Sequence, residues 1–274
     1  MTKIILNADD FGKSPARNRA IDDAFKQSLI CSAGLIVTGK HLGEAVDYIH
    51  NGGYVENVHL HLNLSANLLH EDSDDTPLTK AMKKDPFFCK NGKFKPYKGL
   101  SHRFSSIFRW KVAYREIVTQ YEKFKEVTNG KANYKHIDFH LWYNLTWPVS
   151  IALNVFTRKH EIESVRYIGM HQKKRFWNKL FYVISWNPHI KQIPATNIDF
   201  YLSQKQLFKN EEIVELYCHP HYKEGVFLDD SPSYFKRDRQ PLPKQIQMLK
   251  ESGNVEFVSW EKCFDSSMIA KNTK

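Results

Sequence analysis

The sequence predicts an α/β protein, a single (β/α) barrel-like domain related to TIM barrels, with long inserted loops. Three observations predict it. Short apolar, β-branched runs alternate with helical segments, reactive side chains recur at the ends of those runs, and 274 residues suit one such barrel. Two domains would also fit the length. No linker divides the chain, so residues 1–274 read as one domain.

The elements follow in order. Ile4–Asn7 is a short apolar run that reads as a buried strand. Ser14-Pro15 supplies an N-cap and a first helical residue, opening a helix with Ala20, Ile21, Ala24 and Phe25 on one face. Ala33–Thr38 is a second strand, Leu42–Ile49 a helix and Val55–Leu64 a third strand. Ile107, Trp110, Ala113, Ile117, Tyr121 and Phe124 recur at helical spacing through Ile107–Val127. Lys135–His140, Ser164–Ile168, Ile213–Cys218 and Val255–Ser259 are further strands, and Val149–Lys159 and Leu242–Glu251 are helices between some of them. Such alternation implies a mainly parallel sheet.

Two stretches break the rhythm. Residues 65–106 read as a long polar loop, acidic at Glu71–Asp75 and then lysine-rich. Residues 170–190 read as an insertion, basic first and then aromatic.

Composition excludes little. At 26% charged and 42% hydrophobic residues, the chain is that of an ordinary globular protein. No run approaches the ~20 apolar residues of a membrane span. MTKIILNADDFG lacks the apolar region of a signal peptide, which makes a cytoplasmic location the expectation. The 4 cysteines form no CxxC pair and read as reduced thiols.

A net charge of +10 points to an anionic partner: nucleic acid, an acidic lipid surface, or a phosphate- or uronate-bearing glycan. Basic and aromatic residues interleave at Arg103–Arg115 and Lys173–Trp186, which keeps a non-enzymatic binder of such a partner as an alternative. A solvated helix face over an apolar stripe accounts for the same runs. No nucleic-acid signature accompanies them, so nucleic acid is not the expected partner. Residues 171–186, HQKKRFWNKLFYVISW, have the composition of an interfacial membrane segment, although a core helix with a solvated basic end is the simpler account of them. On the first reading the protein sits peripherally on the inner face of a membrane and its substrate is lipid-linked.

The chemistry gathers at strand ends. Asp9 and Asp10 follow the first strand, His61 lies near the end of the third, and His140 ends Lys135–His140. Arg166 is late in the next strand, and His219 follows Val214–Cys218. In a parallel barrel those ends converge on the face where active sites are built. HIDFH places His136, Asp138 and His140 at period two on one strand face, which an apolar core would not tolerate unpaired. One Asp and two His suit a divalent metal with open positions, and a second Asp and a further His suit base and acid. The equipment is that of metal-assisted hydrolysis.

At these residues the chain resembles the YdjC-type carbohydrate deacetylases, a family that includes chitooligosaccharide deacetylases and hopanoid-associated relatives. The resemblance is carried, in order, by NADDFG (Asn7–Gly12), HLNL (His61–Leu64), HIDFH (His136–His140), Val165-Arg166 and ELYCHP (Glu215–Pro220), and spans roughly residues 3–222. It implies a (β/α) barrel-like fold and removal of an N-acetyl group from an amino sugar in an oligosaccharide or glycolipid. It also implies a divalent metal ion, magnesium or zinc, on Asp10, His61 and His140. By the same resemblance Asp9 is the base, His219 the acid near the leaving group, and Arg166 the residue that orients or tunes the base.

Three positions depart from the family pattern. Leu141–Asn144 stand where further histidines usually follow, His59 where a glycine often sits, and His221 where a glycine follows the His-Pro pair. The His59-x-His61 pair also fits amidohydrolase-type barrels, another class of metal hydrolase. Those carry the pair on the first barrel strand, whereas NADDFG ends the first strand here.

Overall fold

The structure is a computed structural model and describes residues 1–66, 75–96, 107–140, 146–167, 190–231, 241–253 and 255–263. The barrel begins with β1 (Thr2–Phe11), α1 (Pro15–Lys26), β2 (Ser32–Leu35), α2 (Leu42–Gly52) and β3 (Val58–Asn63). A short helix α3 (Lys80–Lys84), a hairpin of β4 (Cys89–Lys90) and β5 (Lys93–Phe94), and the long helix α4 (Trp110–Val127) come next. Then follow β6 (Asn133–His140), α5 (Trp147–Lys159), β7 (Ser164–Tyr167), β8 (Lys191–Asn197), α6 (Ile198–Ser203) and β9 (Ile213–Cys218). The chain continues through a hairpin of β10 (Pro220–Lys223) and β11 (Val226–Asp229), α7 (Leu242–Glu251), β12 (Val255–Phe257) and α8 (Trp260–Cys263).

The strand order β1-β2-β3-β6-β7-β8-β9 closes where β9 returns to β1, with Lys3 opposite Ile213 and Ala8 opposite Cys218. Every pairing around this ring is parallel, so seven parallel strands form a barrel with helices outside. β12 adds a short parallel pairing at the start of β1.

Strand alternation sorts the residues into two populations. Ile4, Leu6 and Ala8, Leu60 and Leu62, Ile137 and Phe139, and Val214 and Leu216 pack with Ile21, Ile117, Phe124, Phe156 and Leu249 in the apolar layer beneath the helices. The alternate positions, Asn7 and Asp9, His59 and His61, His136 and Asp138, Arg166, and Glu215, are buried as well. The barrel interior is therefore polar and ionisable above an apolar floor of Ile5, Ile193, Ile213, Val258 and Trp260.

Trp260 fixes that floor. Its ring stacks on His136 with 3.7 Å between centroids, and its Nε1 donates to Ser32 Oγ at 2.8 Å. Trp260→Ala is expected to cost about 3–5 kcal/mol of stability, read by urea unfolding. A loss under ~1 kcal/mol would mean that the floor is anchored elsewhere.

Several expectations need correction. The 65–106 stretch is not one structureless loop, because α3 and the β4–β5 hairpin lie within it. Thr79 caps α3 by accepting from Met82 N, and Asn91-Gly92, both at positive φ, make the tight turn that joins β4 to β5. Val55–Asn57 is a 3-10 turn, so the third strand begins at Val58. Pro220 begins β10, which pairs antiparallel with β11. Residues 171–186 lie outside the described residues, and with them the core of the expected insertion and the membrane contact. Among the described residues no helix is long and apolar enough to cross a membrane. Cys31, Cys89 and Cys218 make no disulfide.

Candidate active site

β1 delivers two consecutive carboxylates to one site, which a regular strand cannot do. Asp9 faces inward by alternation with Asn7. Asp10 would face the helices, but it adopts φ 71°, and the register against β2 shifts between Ala8 and Phe11. Asp tolerates this left-handed region better than most residues, and the kink turns its carboxylate towards the barrel mouth. Across from it, β2 contributes Gly34. A Cβ there would stand 2.9 Å from His61 Nδ1 and 3.0 Å from Asp138 Oδ2, so the missing side chain is what admits that pair.

Asp10, His61 and His140 each offer a ligand atom, and these atoms all lie within 4.8 Å of one another. Asp10 Oδ1 is 2.8 Å from His140 Nδ1 and 3.6 Å from His61 Nε2, yet it is buried without a hydrogen bond of proper geometry. Donor atoms that converge on one point without satisfying each other fit a cation between them. His61 Nδ1 is bonded to Asp138 Oδ1 at 2.6 Å, which orients the ring and turns Nε2 towards Asp10. Lys13 Nζ sits at the rim, 3.3 Å from Asp10 Oδ2 and 3.5 Å from His140 Nε2.

The electrostatics are uneven. Burial alone would raise the Asp10 carboxyl, but Lys13, His140 and His61 outweigh it and hold the group well below the usual carboxylate range. Burial, aided by Lys13, pulls His140 down to about 4. Burial also opposes charge on His61, yet Asp138, Asp9 and Asp10 push it up to about 10. In the metal-free protein that raised value means stability which is complete below ~6.5 and fades as pH rises towards 10. A metal competes with the same proton, so affinity is expected to climb about tenfold per pH unit between pH ~7 and ~10. Competition titrations with a chromophoric chelator read this directly. A flat profile would show that binding displaces no proton from His61 in this range.

Arg166 holds the layer below. It grips Asp9 with two bonds, Nη1 to Oδ2 at 2.6 Å and Nη2 to Oδ1 at 2.7 Å. It also reaches Asp138 Oδ2 at 2.6 Å and donates through Nε to Glu215 Oε1 at 3.0 Å. Asn7 Nδ2 completes the hold on Asp9 at 2.8 Å. Burial works against the guanidinium, but Asp138, Asp9 and Glu215 raise its pKa well above the ordinary arginine value.

His219 closes the site from the β9 end. Its Nε2 lies 3.9 Å from both Asp9 Oδ2 and Asp10 Oδ2. Asp229 Oδ1 accepts from Ser231 Oγ at 2.6 Å and from His219 N at 2.7 Å. With its proton given to Asp229, the Ser231 hydroxyl accepts from His219 Nδ1 at 2.9 Å, which leaves the Nε2 lone pair facing the carboxylates. Burial lowers the imidazole pKa against the pull of Asp10 and Asp9, so this histidine rests neutral. At 20% side-chain exposure for His219 and 17% for Lys13, these two are the most solvent-exposed members of the cluster among the described residues.

All six strand-end residues, Asp9, Asp10, His61, His140, Arg166 and His219, thus meet at one end of the barrel. The sequence reading gave no role to Lys13, Asp138, Glu215, Asp229 or Ser231. Asp138 had a signal in the period-two spacing of HIDFH, whereas Asp229 and Ser231 are placed only by the β10–β11 hairpin, which the sequence reading did not contain.

Comparison with known proteins extends the picture. Carbohydrate deacetylase 2 of Listeria innocua is 26% identical over 278 residues, covering 94% of this chain and 97% of that protein. A solved Enterococcus faecalis structure, described as that of a cellobiose-phosphate cleavage protein, shares the fold at TM-score 0.68 and 17% identity, covering 96% of this chain and 98% of its own. An uncharacterised Agrobacterium tumefaciens protein aligns at TM-score 0.50 and 13% identity, over 96% of this chain and 89% of its own. The family model for YdjC-like proteins matches residues 3–256 and so takes in all six residues at the barrel mouth: this chain belongs to the YdjC-like family.

Proposed function

We propose that this protein is a metal-dependent carbohydrate deacetylase that hydrolyses the N-acetyl amide of an amino sugar. The observation that carries the reading is the convergence of Asp10, His61 and His140 beside an arginine-anchored Asp9 and a neutral His219. The activity named for the Listeria relative, aligned along nearly the whole chain, supports it.

In this reading Asp10, His61 and His140 hold a divalent cation, which supplies Lewis acidity at the amide carbonyl and eases ionisation of water. Two imidazoles and one carboxylate suit zinc and its transition-metal neighbours better than magnesium, which prefers oxygen ligands. Asp9 takes the proton from the attacking water. Arg166 and Asn7 keep its carboxylate aimed at the mouth while further lone pairs stay available. As the carbon–nitrogen bond breaks, His219 gives a proton to the departing amine. Because this imidazole rests neutral, the proton it delivers is one released during the cycle, and Asp9 is 3.9 Å away. Asp229 and Ser231 fix the tautomer that permits this exchange.

The test is acetate release from N-acetylated mono- and oligosaccharides, soluble and lipid-linked, with and without chelator. Release that a chelator abolishes and zinc restores is the expected outcome. Release unaffected by exhaustive metal removal would sink the metal-dependent reading, and a lack of acetate from every substrate would sink the deacetylase one.

A further inference from the structure

Beneath the proposed catalytic centre, and joined to it through Arg166 and Asp138, the barrel contains a second convergence. His59, His136 and Glu215 are each 0% exposed, and their ligand atoms also lie within 4.8 Å of one another. His59 Nε2, His136 Nε2 and Glu215 Oε2 are all buried without a hydrogen-bond partner. His136 Nε2 stands 3.6 Å from Glu215 Oε2, too far for a hydrogen bond. His59 Nε2 is 3.0 Å from Asp138 Oδ2 but out of line for one. A buried polar atom without a partner is costly in a closed interior, so three together need a reason.

The opposite ends of the same side chains are well anchored. Ser32 Oγ lies 3.1 Å from His59 Nδ1, and Ser164 Oγ lies 2.8 Å from His136 Nδ1. Arg166 engages Glu215 only through Oε1. An imidazole tied at one nitrogen to an oxygen, with the other nitrogen directed at a second imidazole and a carboxylate, is how metal-ligating histidines are held.

Asp9, Asp10, Asp138 and Glu215 share this buried interior with Arg166. The layer below, with Ile5, Ile193 and Ile213, shows that apolar side chains fill this barrel where no ion is needed.

We propose that His59, His136 and Glu215 form a second divalent transition-metal site, a structural one that ties β3, β6 and β9 together inside the barrel. Zinc content decides it, measured by plasma mass spectrometry on the full chain purified from zinc-supplemented culture. Wild type should carry about two equivalents and the His61→Ala/His140→Ala variant about one. The His59→Gln/His136→Gln variant should also fall to about one. In crystals of the His61→Ala/His140→Ala variant, the remaining zinc should give an anomalous peak between His59 Nε2, His136 Nε2 and Glu215 Oε2. If the lower-site variant does not fold, this upper-site variant decides alone. Loss of all zinc from it, with a single equivalent in wild type, would show that the lower cluster holds only water and would overturn the proposal.

Discussion

Asp9→Asn is expected to cut acetate release by about 10²–10⁴-fold while leaving the metal content unchanged. The amide keeps the size of the carboxylate but cannot take the proton of water. Asp9 lies outside the Asp10, His61 and His140 group that the proposed function assigns to the metal, so the loss should fall on kcat; a loss of metal as well would place the ion on the neighbouring Asp9, His61 and Asp138 group instead. The substitution also weakens the two-bond grip of Arg166, because an amide nitrogen cannot accept from it. A modest drop in thermal midpoint should therefore accompany the loss, and activity measured well below that midpoint separates the two. Wild-type turnover in this variant would exclude Asp9 as the base.

Arg166→Leu should produce a large stability change, a loss of about 3–5 kcal/mol or more in urea unfolding at neutral pH. One guanidinium serves Asp9, Asp138 and Glu215, and its removal strands three buried carboxylates. Arg166→Lys should recover little, since a point ammonium cannot reproduce the forked contacts. The pH dependence carries the sign. Burial would raise Glu215, but Arg166 holds it at about 2, and Asp138 is likewise held well below the usual range. In wild type that stability is present above the ordinary carboxylate pKa and is lost only as pH falls towards 2. Without Arg166 the carboxyls titrate higher, so the deficit of the variant should narrow as pH is lowered towards 5. A deficit independent of pH would show that lost packing, and not stranded charge, dominates.

Much of this architecture was legible in the sequence because its elements carry local signals. Ser14-Pro15 announced α1, and Ile213–Cys218 and Leu242–Glu251 match β9 and α7 residue for residue. β8 was not legible, for a physical reason. Lys191–Asn197 reads KQIPATN, and a proline inside a strand normally argues against a central position. Here Pro194 pairs opposite Tyr167 in the ring, where only tertiary context could place it.

The six site residues could be seen because the barrel geometry puts strand ends together. The kink at Asp10 could not, since nothing in an Asp-Asp pair tells which carboxylate turns. The lower cluster was half visible. His136 stood out in HIDFH, but its meeting with His59 and Glu215 depends on the stagger of three strands.

The floor beneath that cluster bears on how the protein is made. β1 is made before the other strands of the ring, yet one of its edges waits for β9, some two hundred positions later, and the start of its other edge waits for β12 after that. Contacts so distant along the chain form slowly. Until they form, the ring is open at the β9 seam and its row of imidazoles and carboxylates faces water. Folding therefore includes a late sealing step, in which β9, β12 and a single indole shut a polar chamber that the preceding chain had left ajar.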